Sequence, residues 1–79
     1  MLHRVILGDG RSIIFNLKQI RQIYVVNEKP PSKSKFFVYN HADPKEFTPV
    51  YYDSPEVMDA ELSYLLTAMK KALKNNDDI

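Results

Sequence analysis

The chain has no cysteine and only two glycines among its 79 residues. Without cysteine there is neither a disulfide framework nor a thiolate zinc site, the two staples that small domains use most. With glycine confined to positions 8 and 10, neither a Walker loop nor a dinucleotide-binding fingerprint can be written. Long apolar runs are missing too. Uninterrupted runs such as Tyr24 to Val26 are only a few residues long, against the roughly 20 that a membrane-spanning helix needs. The apolar stretch Val5 to Leu7 is too brief for a signal-peptide core. These absences point to a cytoplasmic protein with no membrane partner.

What is present is ordinary for a folded domain: 44% hydrophobic and 27% charged residues, too apolar for a disordered chain. A chain this short supports one domain and one core, and it buries only roughly 60% of the surface its unfolded form exposes. Oligomerisation is then the remaining common way to gain stability. We expect one domain over residues 1–74 and a frayed polar tail over 75–79.

The net charge of +1 conceals an asymmetry. Residues 1–40 hold seven basic groups against two acidic, and residues 41–79 hold four against eight, so the halves are +5 and −4. A good part of the acidic half has a local cause. Asp53, Glu56, Asp59 and Glu61 crowd the start of an apolar-periodic segment and Lys70, Lys71 and Lys74 its end, which complements a helix macrodipole. In that segment Met58, Leu62, Leu65, Leu66, Met69, Ala72 and Leu73 recur at steps of three and four, one stripe for packing on a sheet. Asp53, Pro55 and Glu56 predict its start, with Asp53 as N-cap and Glu56 closing a capping box.

Upstream, the pattern is that of strands. His3 to Leu7 and Ser12 to Phe15 flank Gly8-Asp9-Gly10, which predicts a hairpin with a primed turn. Asn16 to Ile20 predicts one helical turn or a tight connection, with Asn16 able to cap it. Arg21 to Asn27 and Lys35 to Asn40 predict two further strands around the loop EKPPSKS. After the turn-like His41 to Pro44, Glu46 to Tyr52 predicts a fifth, weaker strand. Pro49 assigns this strand to an edge or a bulge. The fold class is α+β: an antiparallel meander of four or five strands, open or curled into a half-barrel, with one C-terminal helix on one face.

Ile23 to Val26 and Phe36 to Tyr39 are apolar or aromatic at every position, yet only one helix is available to cover a sheet. An uncovered face bearing Tyr24, Phe37, Tyr39, Tyr51 and Tyr52 would mark a partner site. The basic residues Arg4, Arg11, Arg21, Lys29, Lys33 and Lys35, beside Tyr24, Phe37 and Tyr39, are also the ingredients of a single-strand nucleic-acid platform. No run typical of known RNA-binding sheets and no helix-turn-helix pair accompanies them.

Catalytic signatures are absent. No serine sits in a G-x-S-x-G setting, and His3, His41 and Asp43 are too scattered to predict a metal site. No cofactor or small-molecule substrate is indicated.

The segments VILGDGRSIIFNLKQIRQI and YYDSPEV resemble small flagellar-operon proteins of the FlbD type, which pair a leading Asn/Asp-Gly hairpin with an Asn-x-x-x-Ile connection and an acidic-Ser-x-x-Val helix start. The likeness covers the two ends of the chain. The basic proline loop and HADPKEFTP have no counterpart, and no function is transferred.

The residues thus predict a non-enzymatic cytoplasmic module that self-associates or docks a protein through the aromatic face or the Pro49 edge strand. The alternative is a nucleic-acid binder using Arg11, Arg21, Lys29, Lys33 and Lys35.

Overall fold

The computed structural model describes residues 1–41 and 45–77. Strands β1 (Leu2–Ile6) and β2 (Ser12–Asn16) lead through a short 3-10 turn (Leu17–Gln19) into β3 (Ile20–Val26), β4 (Ser34–Asn40) and β5 (Phe47–Tyr52). The helix α1 spans Pro55–Asp77, past the domain end expected at Lys74. The fold is α+β, but its strands divide into two antiparallel sheets, β1-β2 and β3-β4-β5, and do not close into a barrel. The turn expected at His41 to Pro44 falls mostly outside the described residues, and Asp43, weighed as a metal ligand, lies wholly outside them.

The first hairpin forms where Gly8-Asp9-Gly10 predicts it, with a different turn. Among the described residues only Gly10 has positive φ, at +90°, so the central pair Gly8-Asp9 cannot be a primed turn. Instead the Gly10 N–H donates to the Leu7 carbonyl at 3.0 Å, and the left-handed glycine lets the Leu7 N–H reach the Arg11 carbonyl at 2.7 Å. The Asp9 carboxylate accepts from the Arg11 N–H at 3.0 Å and from its Nε at 2.7 Å. Those bonds, the backbone one first, hold the Asp9 carboxyl below its ordinary pKa. Asn16 caps the 3-10 turn as expected, its side-chain oxygen accepting from the Lys18 N–H at 3.2 Å.

The proline loop between β3 and β4 is closed from inside. Ser34 is fully buried, and its hydroxyl accepts from the Glu28 N–H at 3.1 Å and donates to the Glu28 carbonyl at 3.0 Å. A buried hydroxyl is tolerated there because both its hydrogen-bonding roles are filled.

Strand alternation separates two faces of the three-stranded sheet. Phe36, Val38, Val50 and Tyr52 point inward and join Val5, Phe15, Leu17 and Ile20 around Met58, Leu65 and Ala72 of α1. Each large side chain so buried contributes roughly 1.5–3 kcal/mol relative to exposure. Met58, Leu65 and Ala72 lie seven residues apart along the helix, with Leu62 and Met69 partly buried between them. The apolar stripe is narrower than the sequence predicts, because Leu66 and Leu73 are exposed. Each follows a stripe residue directly or nearly so, about 100° further around the helix, beyond the reach of the sheet.

The helix start also differs from expectation. The cap is Ser54, whose hydroxyl accepts from the Val57 N–H at 3.4 Å and donates to Glu56 Oε2 at 2.7 Å. With Pro55 as the first helical residue, the cap is the residue before it, and Asp53 is left outside, 3.7 Å from Lys33 Nζ. The Ser54 hydroxyl bond is the main reason that the Glu56 carboxyl ionises below its ordinary pKa. Ser54→Ala should therefore lower the unfolding free energy by about 1 kcal/mol in a urea titration. Asp53→Ala should change it by no more than about 0.5 kcal/mol, as expected for an exposed ion pair. The reverse order would restore Asp53 as the cap.

Candidate functional site

The register of β3, β4 and β5 defines the face opposite the helix. Tyr24 pairs with Phe37 and Phe37 with Pro49, Gln22 with Tyr39 and Tyr39 with Phe47, and Val26 with Lys35 and Lys35 with Tyr51. Directly paired residues of antiparallel strands share a face. The outer face is therefore a nine-residue surface with five aromatic rings and one formal charge, that of Lys35. Tyr24 is 56% exposed, Phe47 48% and Tyr51 45%.

Four of the rings form a connected group. Tyr24 stacks on Phe37 with centroids 6.3 Å apart, Phe37 meets Phe47 edge-on at 5.1 Å, and Phe47 lies 5.5 Å from Tyr39. Such pairs add about 0.5–1.5 kcal/mol beyond area burial and hold one another in place, so the surface is preorganised. Two cations sit over it, the Arg21 guanidinium 5.5 Å from the Tyr39 ring and Lys35 Nζ 5.9 Å from the Tyr51 ring. Both lie within cation–π reach, one toward each end of the aromatic row.

Four of the five sequence-predicted residues, Tyr24, Phe37, Tyr39 and Tyr51, share this surface. Tyr52 does not belong to it. It is 1% exposed, packs on Phe36 at 6.0 Å between centroids, and donates its hydroxyl to the Ile6 carbonyl at 2.6 Å. Adjacent strand residues point to opposite faces, so Tyr51 and Tyr52 cannot both be outside. Phe47 is the member that sequence reading missed. Stepping back from Tyr51 by two and by two again reaches Pro49 and Phe47, and that period was the signal.

The basic residues do not collect on one surface. Arg11 and Lys33 line a cleft of about 200 Å³ with Gly8, Tyr51 and the carboxylates Asp9 and Asp53. Arg11 is held by Asp9 at 2.7 Å and Lys33 lies 3.7 Å from Asp53. Lys35 lies 3.8 Å from Glu28. Arg21 lines a separate groove with Leu17, Lys18 and Ile20, and Lys29 is exposed in the proline loop.

Among the described residues no group of three or more histidines and carboxylates is placed to hold a metal. His3 lies on β1 opposite Phe15, with its Nε2 buried and without a hydrogen-bond partner. His41 follows β4 and ties its backbone N–H to the Gln19 carbonyl at 2.9 Å. No described helix is long and apolar enough to cross a membrane.

No family model, no curated protein and no solved structure matches this chain. The resemblance of its two ends to flagellar-operon proteins is accordingly not carried into the functional reading.

Burial, assisted by the Glu61 carboxylate, pushes the Tyr52 hydroxyl from 10.0 up to about 12. In the unfolded chain the phenol ionises near 10. Below that pH both states are neutral and the contribution is fully present. As pH rises further the unfolded chain gives up its proton first, so stability falls between about pH 10 and 12. Tyr52→Phe should flatten this alkaline limb in pH-dependent urea unfolding and cost about 1 kcal/mol at neutral pH. An unchanged limb would show that another group produces it.

Proposed function

We propose that the protein is a small non-enzymatic interaction module that docks a protein partner on the outer face of its three-stranded sheet. The observation that carries this reading is the connected ring group Tyr24, Phe37, Tyr39 and Phe47, with Tyr51 beside it on the same face, a face that the helix does not cover and on which Tyr24, Phe47 and Tyr51 are exposed. Aromatic anchors with a peripheral cation make the side of an interface that binds apolar side chains flanked by carboxylates.

Size refines the partner. Three strands at about 4.8 Å spacing, over about five residues of 3.3 Å, present roughly 250 Å². A standard globular interface buries about 800 Å² on each side. The face thus suits a short apolar and acidic segment more than a second folded domain. A second reading, single-stranded nucleic acid, is favoured by one observation: Arg21 and Lys35 each lie over a ring, as base-stacking and phosphate-binding groups would.

A displayed random-peptide selection against the protein tests the first reading. Wild type should enrich peptides that combine aromatic or aliphatic residues with Asp or Glu. Tyr39→Glu should lose at least about tenfold in affinity for them while its circular dichroism is unchanged. A mixed-sequence single-stranded oligonucleotide that binds at about 50 mM salt, releases at about 500 mM and excludes peptide would favour the second reading. If neither probe binds, the face is not a docking site.

A further inference from the structure

The three-stranded sheet has two edges, β3 and β5, and they are not alike. At β5, the strand to which sequence reading assigned edge docking, Pro49 has no N–H to offer. The Tyr51 carbonyl already accepts from the Gly8 N–H at 3.2 Å. The tip of the first hairpin is pressed against this edge so closely that a Cβ on Gly8 would lie 3.0 Å from the Tyr51 oxygen. This edge is occupied at Tyr51 and lacks a donor at Pro49.

The other edge is open. Among the described residues β3 pairs with β4 alone. Natural edge strands are blunted by lysine, proline, bulges or a covering element. In β3 the irregularity lies at its beginning, between Ile20 and Gln22, and the stretch Ile23 to Val26 has no charge and no proline. It is exposed on both sides: Tyr24 on the outer face, and Val25, 39% exposed, on the inner face where the helix covers β4 and β5. The core reaches Ile20 and Ile23 of this strand, and a β-branched residue left open at position 25 shows that the cover stops short of its far end.

We propose that two copies of the chain join along β3, antiparallel, around a two-fold axis through this open stretch. An antiparallel strand presents the same pattern of N–H and C=O groups to its own copy and is self-complementary. The charges agree with that partner. Arg21 lies just before the open stretch and Glu28 just after it, so antiparallel pairing brings the Arg21 end of one copy to the Glu28 end of the other. The product is one six-stranded sheet with a helix from each copy on one side. On the other side the two aromatic faces become continuous, doubling the surface to roughly 500 Å². The inference rests on the two edges alone and does not require the docking role proposed for the aromatic face.

Sedimentation equilibrium on the full chain tests it. Wild type should have about twice the 9.2 kDa of one chain. Val25→Lys, an inward-facing charge on the edge, should be a monomer, and Val25→Thr should stay dimeric because it keeps the strand-compatible shape without the charge. Tyr39→Glu should also stay dimeric, even where it abolishes peptide binding, so the two proposals fail separately. Should Val25→Lys not fold, the amides of residues 23–26 in wild type provide the readout, since their hydrogen exchange should slow with rising protein concentration. A wild-type monomer at about 1 mM, a dimeric Val25→Lys, a monomeric Tyr39→Glu, or exchange independent of concentration would each overturn the edge pairing.

Discussion

Where the end of β5 meets the first hairpin, two hydrogen bonds from adjacent tyrosines tie the two sheets together. The Tyr51 carbonyl accepts from the Gly8 N–H, and the Tyr52 hydroxyl donates to the Ile6 carbonyl at 2.6 Å. Few other features bear on so much of the molecule. The first bond brings the hairpin tip onto one sheet edge, so closely that a side chain at position 8 would have to push the Tyr51 backbone back by a few tenths of an ångström. The second places a large polar aromatic in the core with its only polar atom satisfied, so that its ring can be buried without leaving an orphan donor. Between them they hold Val5 and Phe15 over the same core that α1 fills with Met58, Leu65 and Ala72.

That junction also distributes the surfaces. A hairpin fastened to β5 shields that edge, and a single helix covers the inner face of β4 and β5. The outer face and the β3 edge are left over, and both are apolar. For a chain with no disulfide and a small core, exposed apolar surface is costly unless something covers it, and the two surfaces call for different occupants. The flat ring group presents side chains and suits a segment that brings side chains of its own. Between Ile23 and Val26 the β3 edge has no second strand among the described residues, and it suits one.

Much of the local structure was legible in the chain. Gly10 after Asp9 marks the hairpin because only glycine reaches its positive φ without strain. Asn16 caps the 3-10 turn through its own side chain, and Pro49 could sit only in an edge strand or a bulge. The helix cap was misread by one residue because Asp53 and Ser54 both carry capping side chains, and the choice between them depends on where Pro55 enters the first turn. Tyr52 was misread because two adjacent tyrosines are equivalent by composition and opposite by strand parity.

The sequence by itself determined the element types, since turn chemistry, capping and hydrophobic period act over a few residues and need no distant partner. It also determined that one sheet face would lack a helix, because the chain contains only one helix long enough to serve. Only the tertiary structure decided that the strands split into two sheets, that the hairpin tip meets the Tyr51 end of β5 and leaves β3 without a second strand, and that the Tyr51 face of β5 rather than its Tyr52 face turns away from the helix. Those outcomes depend on contacts between residues more than forty positions apart, such as Ile6 with Tyr52. Long-range pairing of that kind is set by packing of the whole chain and leaves no periodic mark in any one segment.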